Sequence, residues 1–457
     1  MQEFEMTAKT FKGLESVLAD ELLAIGANNI QVGRRAVSFT GDKRVLYKAN
    51  LWLRTATRVL VPIASFHAKD ADAVYEQAKA IDWSLFMTNK TSFLIDATVY
   101  SETFRHSHYV TYRVKDAIAD FWNEKTGHRP SVQLTNPDLY LNVHIAAEQV
   151  TLSLDSSGES LHKRGYRVTE TEAPLSEALA AGMLLLAGWR GQSDLYDPMC
   201  GSGTIGIEAA LIALNIAPGI FRKSFAFEKW PDFDAELWSD IYNDDSEDKP
   251  FGHQIYLSDA SYYAVQASQK NVHSASLDKY IAVKQIRLEE MQGEYKGLVV
   301  INPPYGQRLT PNAYRKQIVS KSEAEGRYDD AIIPLYRAMG TALKHHFTGS
   351  TAWIISSNED ALKAIGLKPT EKLHLMNGEL DCLYNCYELF EGERKEYVTE
   401  HPREHGDDRN KRREQHGTHS DKRVQLSPAR RANRQVSPRS SRPKQTAGFR
   451  RGRDSRR

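Results

Sequence analysis

A chain of 457 residues, 41% apolar and 26% charged, is too long for a single hydrophobic core and too apolar to be disordered throughout. Its net charge of +1 conceals a division: residues 401–457 carry 18 Lys and Arg against 6 Asp and Glu, whereas residues 1–400 carry 42 against 53. No stretch approaches the roughly 20 apolar residues of a membrane helix, Met1 opens no basic-then-apolar leader, and the expectation is a soluble protein of the reducing cytoplasm. Cys200, Cys382 and Cys386 supply neither a disulfide framework nor a zinc signature, and His106, His108, His345 and His346 lack ligand spacing, so no metal is expected.

Along the chain, Leu14, Val17, Leu18, Leu22 and Ile25 recur at helical spacing and Gly26 ends the pattern. Strand-like pieces over 30–39 and a helix over 47–58 complete a small α+β unit, residues 1–65. A strand is expected over 92–100. A helix follows with Val114, Ala117, Ile118, Phe121 and Trp122 at i, i+3, i+4, i+7 and i+8. A hairpin of 140–145 with 150–154 then leads to the turn Asp155-Ser-Ser-Gly158, so residues 66–165 read as a second α+β unit.

From residue 166 to 396 the pattern becomes strand–helix alternation. Apolar runs at 195–196, 254–257, 281–286, 298–301 and 352–355 are separated by helical stretches, which predicts an α/β domain with a mostly parallel sheet covered on both faces. The apolar run 178–189 reads as a core helix, and 221–250, rich in aromatics and acids, as an insertion between the first helix and the second strand. Residues 397–457 read as a disordered basic tail with too few apolar residues to offset chain entropy. Its arginine pairs, and Gly448-Phe-Arg-Arg-Gly452, suit nonspecific affinity for nucleic acid by exchange of counterions.

Two motifs carry chemistry. Asp197-Pro198-Met199-Cys200-Gly201-Ser202-Gly203-Thr204 stands where the first strand of the α/β domain should end and its helix begin. Pro198 holds Asp197 extended, Gly201 and Gly203 allow a tight turn and close approach of a ligand, and the helix from Thr204 turns its free amides toward that ligand. Gly201-Ser-Gly203-Thr-Ile-Gly206 also matches the dinucleotide fingerprint. The acid that should follow about 20 residues later is instead Asp259, 62 positions beyond Asp197. The second motif, Asn302-Pro303-Pro304-Tyr305, follows the run 298–301 and so lies at the carboxyl end of another strand, the rim where open α/β sheets bind ligands. Two prolines fix the backbone and leave carbonyl acceptors. With the Asn302 side chain they can accept from an exocyclic amino group while Tyr305 stacks on the base, so that the nitrogen is held in line with a methyl donor.

Together these motifs resemble the THUMP-domain class I S-adenosylmethionine-dependent RNA methyltransferases, and within them the N-terminal half of the large-subunit ribosomal RNA guanine-N2 enzymes. Gly13-Leu-Glu15 with Glu21-Leu22 resembles the opening ferredoxin-like unit, and Leu154 to Gly158 with Leu161 to Arg167 resembles the end of a THUMP domain and its link to the catalytic domain. Ala173-Pro174-Leu175, Asn302 to Leu309, and Asn377-Gly378 with Leu380 are similar to further signatures. The resemblance implies a Rossmann-like methyltransferase domain after ferredoxin-like and THUMP units, S-adenosylmethionine as cofactor, and structured RNA, above all 23S ribosomal RNA, as partner. It implies cofactor contacts from Asp197, Pro198, Gly201, Ser202, Gly203, Thr204, Asp259 and Asn302, with Asp259 on the ribose hydroxyls. Chemistry falls to Asn302, Pro303, Pro304 and Tyr305, and RNA contacts to Arg129, Lys163, Arg164 and Arg167. The product expected is an N2-methylguanosine. An N6-adenine methyltransferase of RNA or DNA and a non-catalytic RNA-binding assembly factor are the alternatives. Arg287 stands where an acid often contacts the adenine of the cofactor, so that contact is unassigned. No second methyltransferase half follows, and a single modification is expected.

Overall fold

The computed structural model describes residues 2–102, 104, 107–171, 174–306 and 321–390. The expected tail, and Ala173 and residues 307–309 of the quoted signatures, lie outside them. The first unit begins with β1 (Phe4–Thr10), which turns Met6, Ala8 and Thr10 inward by simple alternation. Helix α1 (Glu15–Ala24) buries Leu18 and Leu22 and is followed by β2 (Asn28–Val32) and β3 (Ala36–Gly41).

Helix α2 (Lys43–Trp52) is capped by Asp42, whose side chain accepts from the Val45 amide. It ends at Trp52 rather than continuing to 58, a correction with a local cause. Glu21 captures the Arg54 and Thr55 amides at 2.8 and 3.0 Å, so the chain leaves the helix and enters β4 (Ala56–His67).

Strand β4 pairs antiparallel with β1 on one side and on the other with β7 (Gln149–Asp155). The intervening elements are α3 (Ala71–Lys79), β5 (Phe93–Tyr100), α4 (Ser107–Thr126) and β6 (Leu139–Ala146). One seven-stranded sheet of order β2-β3-β1-β4-β7-β6-β5 results, and the division expected between residues 65 and 66 falls inside its shared strand.

The second sheet is built from β8 (Leu195–Asp197), β9 (Ile255–Asp259), β10 (Ile281–Gln285), β11 (Leu298–Ile301) and β12 (Thr351–Ser356), all parallel, with the hairpin β13 (Glu371–Asn377) and β14 (Leu380–Glu388) added antiparallel at one edge. Helix α5 (Glu177–Leu186) precedes the first of these strands, and α6 (Thr204–Ala213), α7 (Ala235–Tyr242), α8 (Tyr262–Ser274), α9 (Lys321–His346) and α10 (Glu359–Ala364) fall between them. The order β10-β9-β8-β11-β12-β14-β13 reverses direction at β8 and β11, so the carboxyl ends of these two strands open the crevice in which such sheets bind ligands.

Residues 221–250 fold onto the first unit. Phe225, Phe227 and Trp238 enter its core, Phe227 stacks on Tyr47 with ring centroids 4.5 Å apart, and the Asp234 amide donates to the Tyr47 hydroxyl. Leu14 in turn reaches the core of the second sheet, where a side chain at Gly182 of α5 would begin 2.5 Å from it. Among the described residues no helix is long and apolar enough to cross a membrane.

Candidate active site

Strand β8 delivers Asp197 to the crevice, 1% exposed. Its Oδ1 accepts from the Met199 amide at 3.2 Å, and its Oδ2 has no partner among the described residues. Burial, and next the charge of Asp259, push the Asp197 carboxyl up to about 8. An acid held there without a cation is poorly solvated, and a positively charged ligand group would satisfy it.

The loop that follows turns through Gly201 (φ +53°) and Gly203 (φ +83°) into α6, whose ten residues are all buried. Positive φ favours glycine at both positions. At Gly203 a Cβ would also stand 3.1 Å from Ser268 Oγ, and at Gly206 one would meet Leu257 at 2.6 Å, which fixes the helix close against β9.

Side chains from other elements hold this loop. Asp259 at the end of β9 accepts from the Gly201 amide at 3.0 Å, and Ser268 of α8 donates to the Gly201 carbonyl at 2.8 Å. Asn271 donates to the Ser202 and Thr169 carbonyls while its oxygen accepts from the Val168 and Thr169 amides. Arg167 donates to Ser202 Oγ, Thr204 Oγ1, the Leu175 carbonyl and Glu177, the last at 2.9 Å.

Across the crevice, β11 ends in Asn302-Pro303-Pro304-Tyr305. Asn302 is half-buried, and the Pro304 carbonyl accepts from the Tyr336 hydroxyl at 3.2 Å. Tyr305 lines the cleft but is only 9% exposed and packs into the apolar core. Its hydroxyl donates to Asn302 Oδ1 at 2.7 Å and accepts from Asn377 Nδ2 at 3.2 Å. Burial above all pushes the phenol well up, so it keeps its proton to donate.

A single cleft of about 1410 Å³ is lined by the glycine loop, Asp259, Arg287, Leu288, residues 302–306 and Asn377. It exceeds the roughly 300–1,000 Å³ of an ordinary small-molecule pocket, and so has room for a cofactor and a base together. Arg287 thus borders the cleft directly, beside the mostly buried Leu288.

The expected RNA contacts divide. Arg129 and Lys163 have side chains 62% and 60% exposed and pair with Asp120 and Glu159 at the surface. Arg164 and Arg167 are corrected. Arg164 is 1% exposed and reaches Glu208 and the carbonyls of Leu161 and Arg54, while Arg167 is spent behind the glycine loop. Both charges are spent on internal partners. Asn271, Ser268 and Asn377 do not stand out in the sequence as site residues. A polar residue amid the buried face of α8 is the signal that marks the first two.

Family comparison divides the chain in the same order. Residues 5–60 match an RlmL ferredoxin-like domain, 68–155 a THUMP domain, and 164–325 a methyltransferase domain described as UPF0020, RMKL-like. A putative RNA methyltransferase of Synechocystis, slr0064, is 36% identical over 386 residues, covering 84% of this chain and 96% of that one. The ribosomal RNA large subunit methyltransferase K/L of Syntrophotalea carbinolica is 39% identical over 394 residues, 83% of this chain. The chain spans about half of that relative, 53% of its length. Among solved structures, a putative methyltransferase, SMU.472, complexed with S-adenosylhomocysteine (SAH) superposes with a TM-score of 0.73 at 28% identity, covering 86% of this chain and all of that one.

Proposed function

Since the chain belongs to the THUMP-domain family of RMKL-like methyltransferases, we propose that it methylates an exocyclic base amine of RNA, the N2 of a guanosine in 23S ribosomal RNA, with S-adenosylmethionine as donor. The observation that carries the reading is the pairing of the two strand ends in one cleft: the glycine loop beside the buried Asp197 carboxyl, whose Oδ2 has no partner among the described residues, and the acceptor-rich turn at Asn302. The cofactor supplies a methyl group on a positively charged sulfonium.

Asp197 has the vacant oxygen to hold an ammonium group, whose charge would draw off the carboxyl's proton, and the loop from Gly201 to Thr204 admits a ligand close to its backbone. Asp259 lies at the cleft with each oxygen already accepting one amide, from Gly201 and Ser261, and each keeps capacity for a ribose hydroxyl. Asn302 Oδ1 and the Pro303 carbonyl hold the two protons of the amine. That contact aims the nitrogen lone pair and stabilises the positive charge that grows on nitrogen as its new bond forms. Bringing a paired base into the cleft requires its extrusion from the helix.

Ribosomal RNA from cells lacking the protein, incubated with purified enzyme and methyl-labelled cofactor, then digested for mass spectrometry, tests the assignment. N2-methylguanosine supports it, and N6-methyladenosine overturns the choice of base while keeping the pocket. Asn302→Ala should lower transfer by about 10²-fold or more with RNA binding retained. Equal turnover would sink the proposed chemistry.

A further inference from the structure

Tyr305 lines the cleft and has its hydroxyl engaged on both sides, with Asn302 and Asn377. A phenol has one proton to give. Asn377, at the end of β13, donates to the Tyr305 oxygen, and Tyr305 spends its proton on Asn302 Oδ1. The chain Asn377→Tyr305→Asn302 therefore has a direction. It fixes which end of the Asn302 amide is oxygen and which way that oxygen faces, while a second lone pair stays available.

The surroundings hold the phenol in place. Tyr305 is nine-tenths buried as a residue, and the Asn358 side chain reaches its carbonyl at 3.4 Å. Asn377 lines the same cleft as Asn302 but comes from the antiparallel hairpin appended to the far edge of the sheet.

We propose that Asn377 and the Tyr305 hydroxyl are positioning residues that set the Asn302 acceptor for the target amine, so that the β13–β14 hairpin completes the catalytic turn. The inference rests on the methyl-transfer reading above. A role for the Tyr305 ring that is confined to stacking on the base makes the opposite prediction for one substitution.

Tyr305→Phe keeps the ring and removes the hydroxyl. Loss of a buried hydrogen bond to the acceptor should lower kcat about tenfold with the KM for RNA and the SAH Kd within about twofold of wild type. Asn377→Ala leaves the phenol free to donate to Asn302. Asn377→Asp competes for the phenol proton and reverses the chain, so its kcat should fall at least about threefold below that of Asn377→Ala. A general structural disturbance at this half-exposed turn would not rank the two variants in that order. Thermal melts and SAH binding on each variant exclude misfolding. A Tyr305→Phe enzyme with wild-type kcat, or equal kcat in the two Asn377 variants, overturns the inference. Absence of methyl transfer by the wild-type protein would instead defeat the functional reading itself.

Discussion

Asp197 shows what one buried oxygen can determine. Its carboxyl is ionised in the unfolded chain above its ordinary 3.8 but holds its proton to about 8 in the fold. The folded state therefore binds the extra proton across that window, and this group weakens the ligand-free fold progressively as pH rises from about 4 to about 8. A ligand ammonium reverses the balance by favouring the carboxylate. At pH 7 binding of S-adenosylhomocysteine should release close to one proton from Asp197, and affinity should climb with pH until about 8. Calorimetry in two buffers of different ionisation enthalpy measures the release, and Asp197→Asn should bind more weakly and lose it. Because the ligand's own amino group also titrates on the alkaline side, the wild-type minus variant difference is the informative quantity. An identical proton count in both proteins would remove Asp197 from the ammonium site.

Among the elements, the linker 164–175 changes role most between sequence and structure. The arginines that follow a THUMP-like unit read as RNA contacts from the family resemblance, because sequence gives charge without burial. Glu177, ten residues on in α5, is the missing information: with 8% and 6% of their side chains exposed, Arg167 and Glu177 neutralise each other beside the glycine loop. Arg167→Ala strands a buried carboxylate and should cost about 3–5 kcal/mol in urea unfolding. Cofactor affinity should fall while RNA affinity of the folded variant stays unchanged. A selective loss of RNA affinity would return Arg167 to the surface role.

The same contrast runs through the fold. Both motifs are legible because glycine, proline and asparagine constrain the backbone locally and the apolar runs before them are strands in any α/β context. The long-range facts are not. Helix α2 stops where a carboxylate from α1 takes the next amides, and β4 extends across two units because it has a partner on each side. Asn377 is separated from Asn302 by 75 positions in sequence, and only the sheet order joins them.

At the scale of the molecule, charge poses a problem that the cleft does not solve. Residues 1–400 carry 53 acidic against 42 basic side chains, and two of the arginines in the THUMP linker are buried in internal bonds. A polyanion approaching that body meets net repulsion, screened beyond about 8 Å at physiological salt. The remaining 57 residues hold 18 basic against 6 acidic side chains, a surplus that more than cancels the deficit. If this segment neutralises phosphates, the chain ending at Glu400 should bind RNA more weakly. The slope of log affinity against log salt should then become shallower by roughly 0.7 for each single-strand phosphate that is no longer neutralised. Methyl transfer at saturating RNA should persist, since every described residue that lines the cleft lies before Glu400. Filter binding over roughly 50–300 mM salt, a span chosen to resolve slopes of order unity, separates the outcomes. An unchanged slope would mean that the acidic body alone holds RNA, through local patches such as those around Arg129 and Lys163.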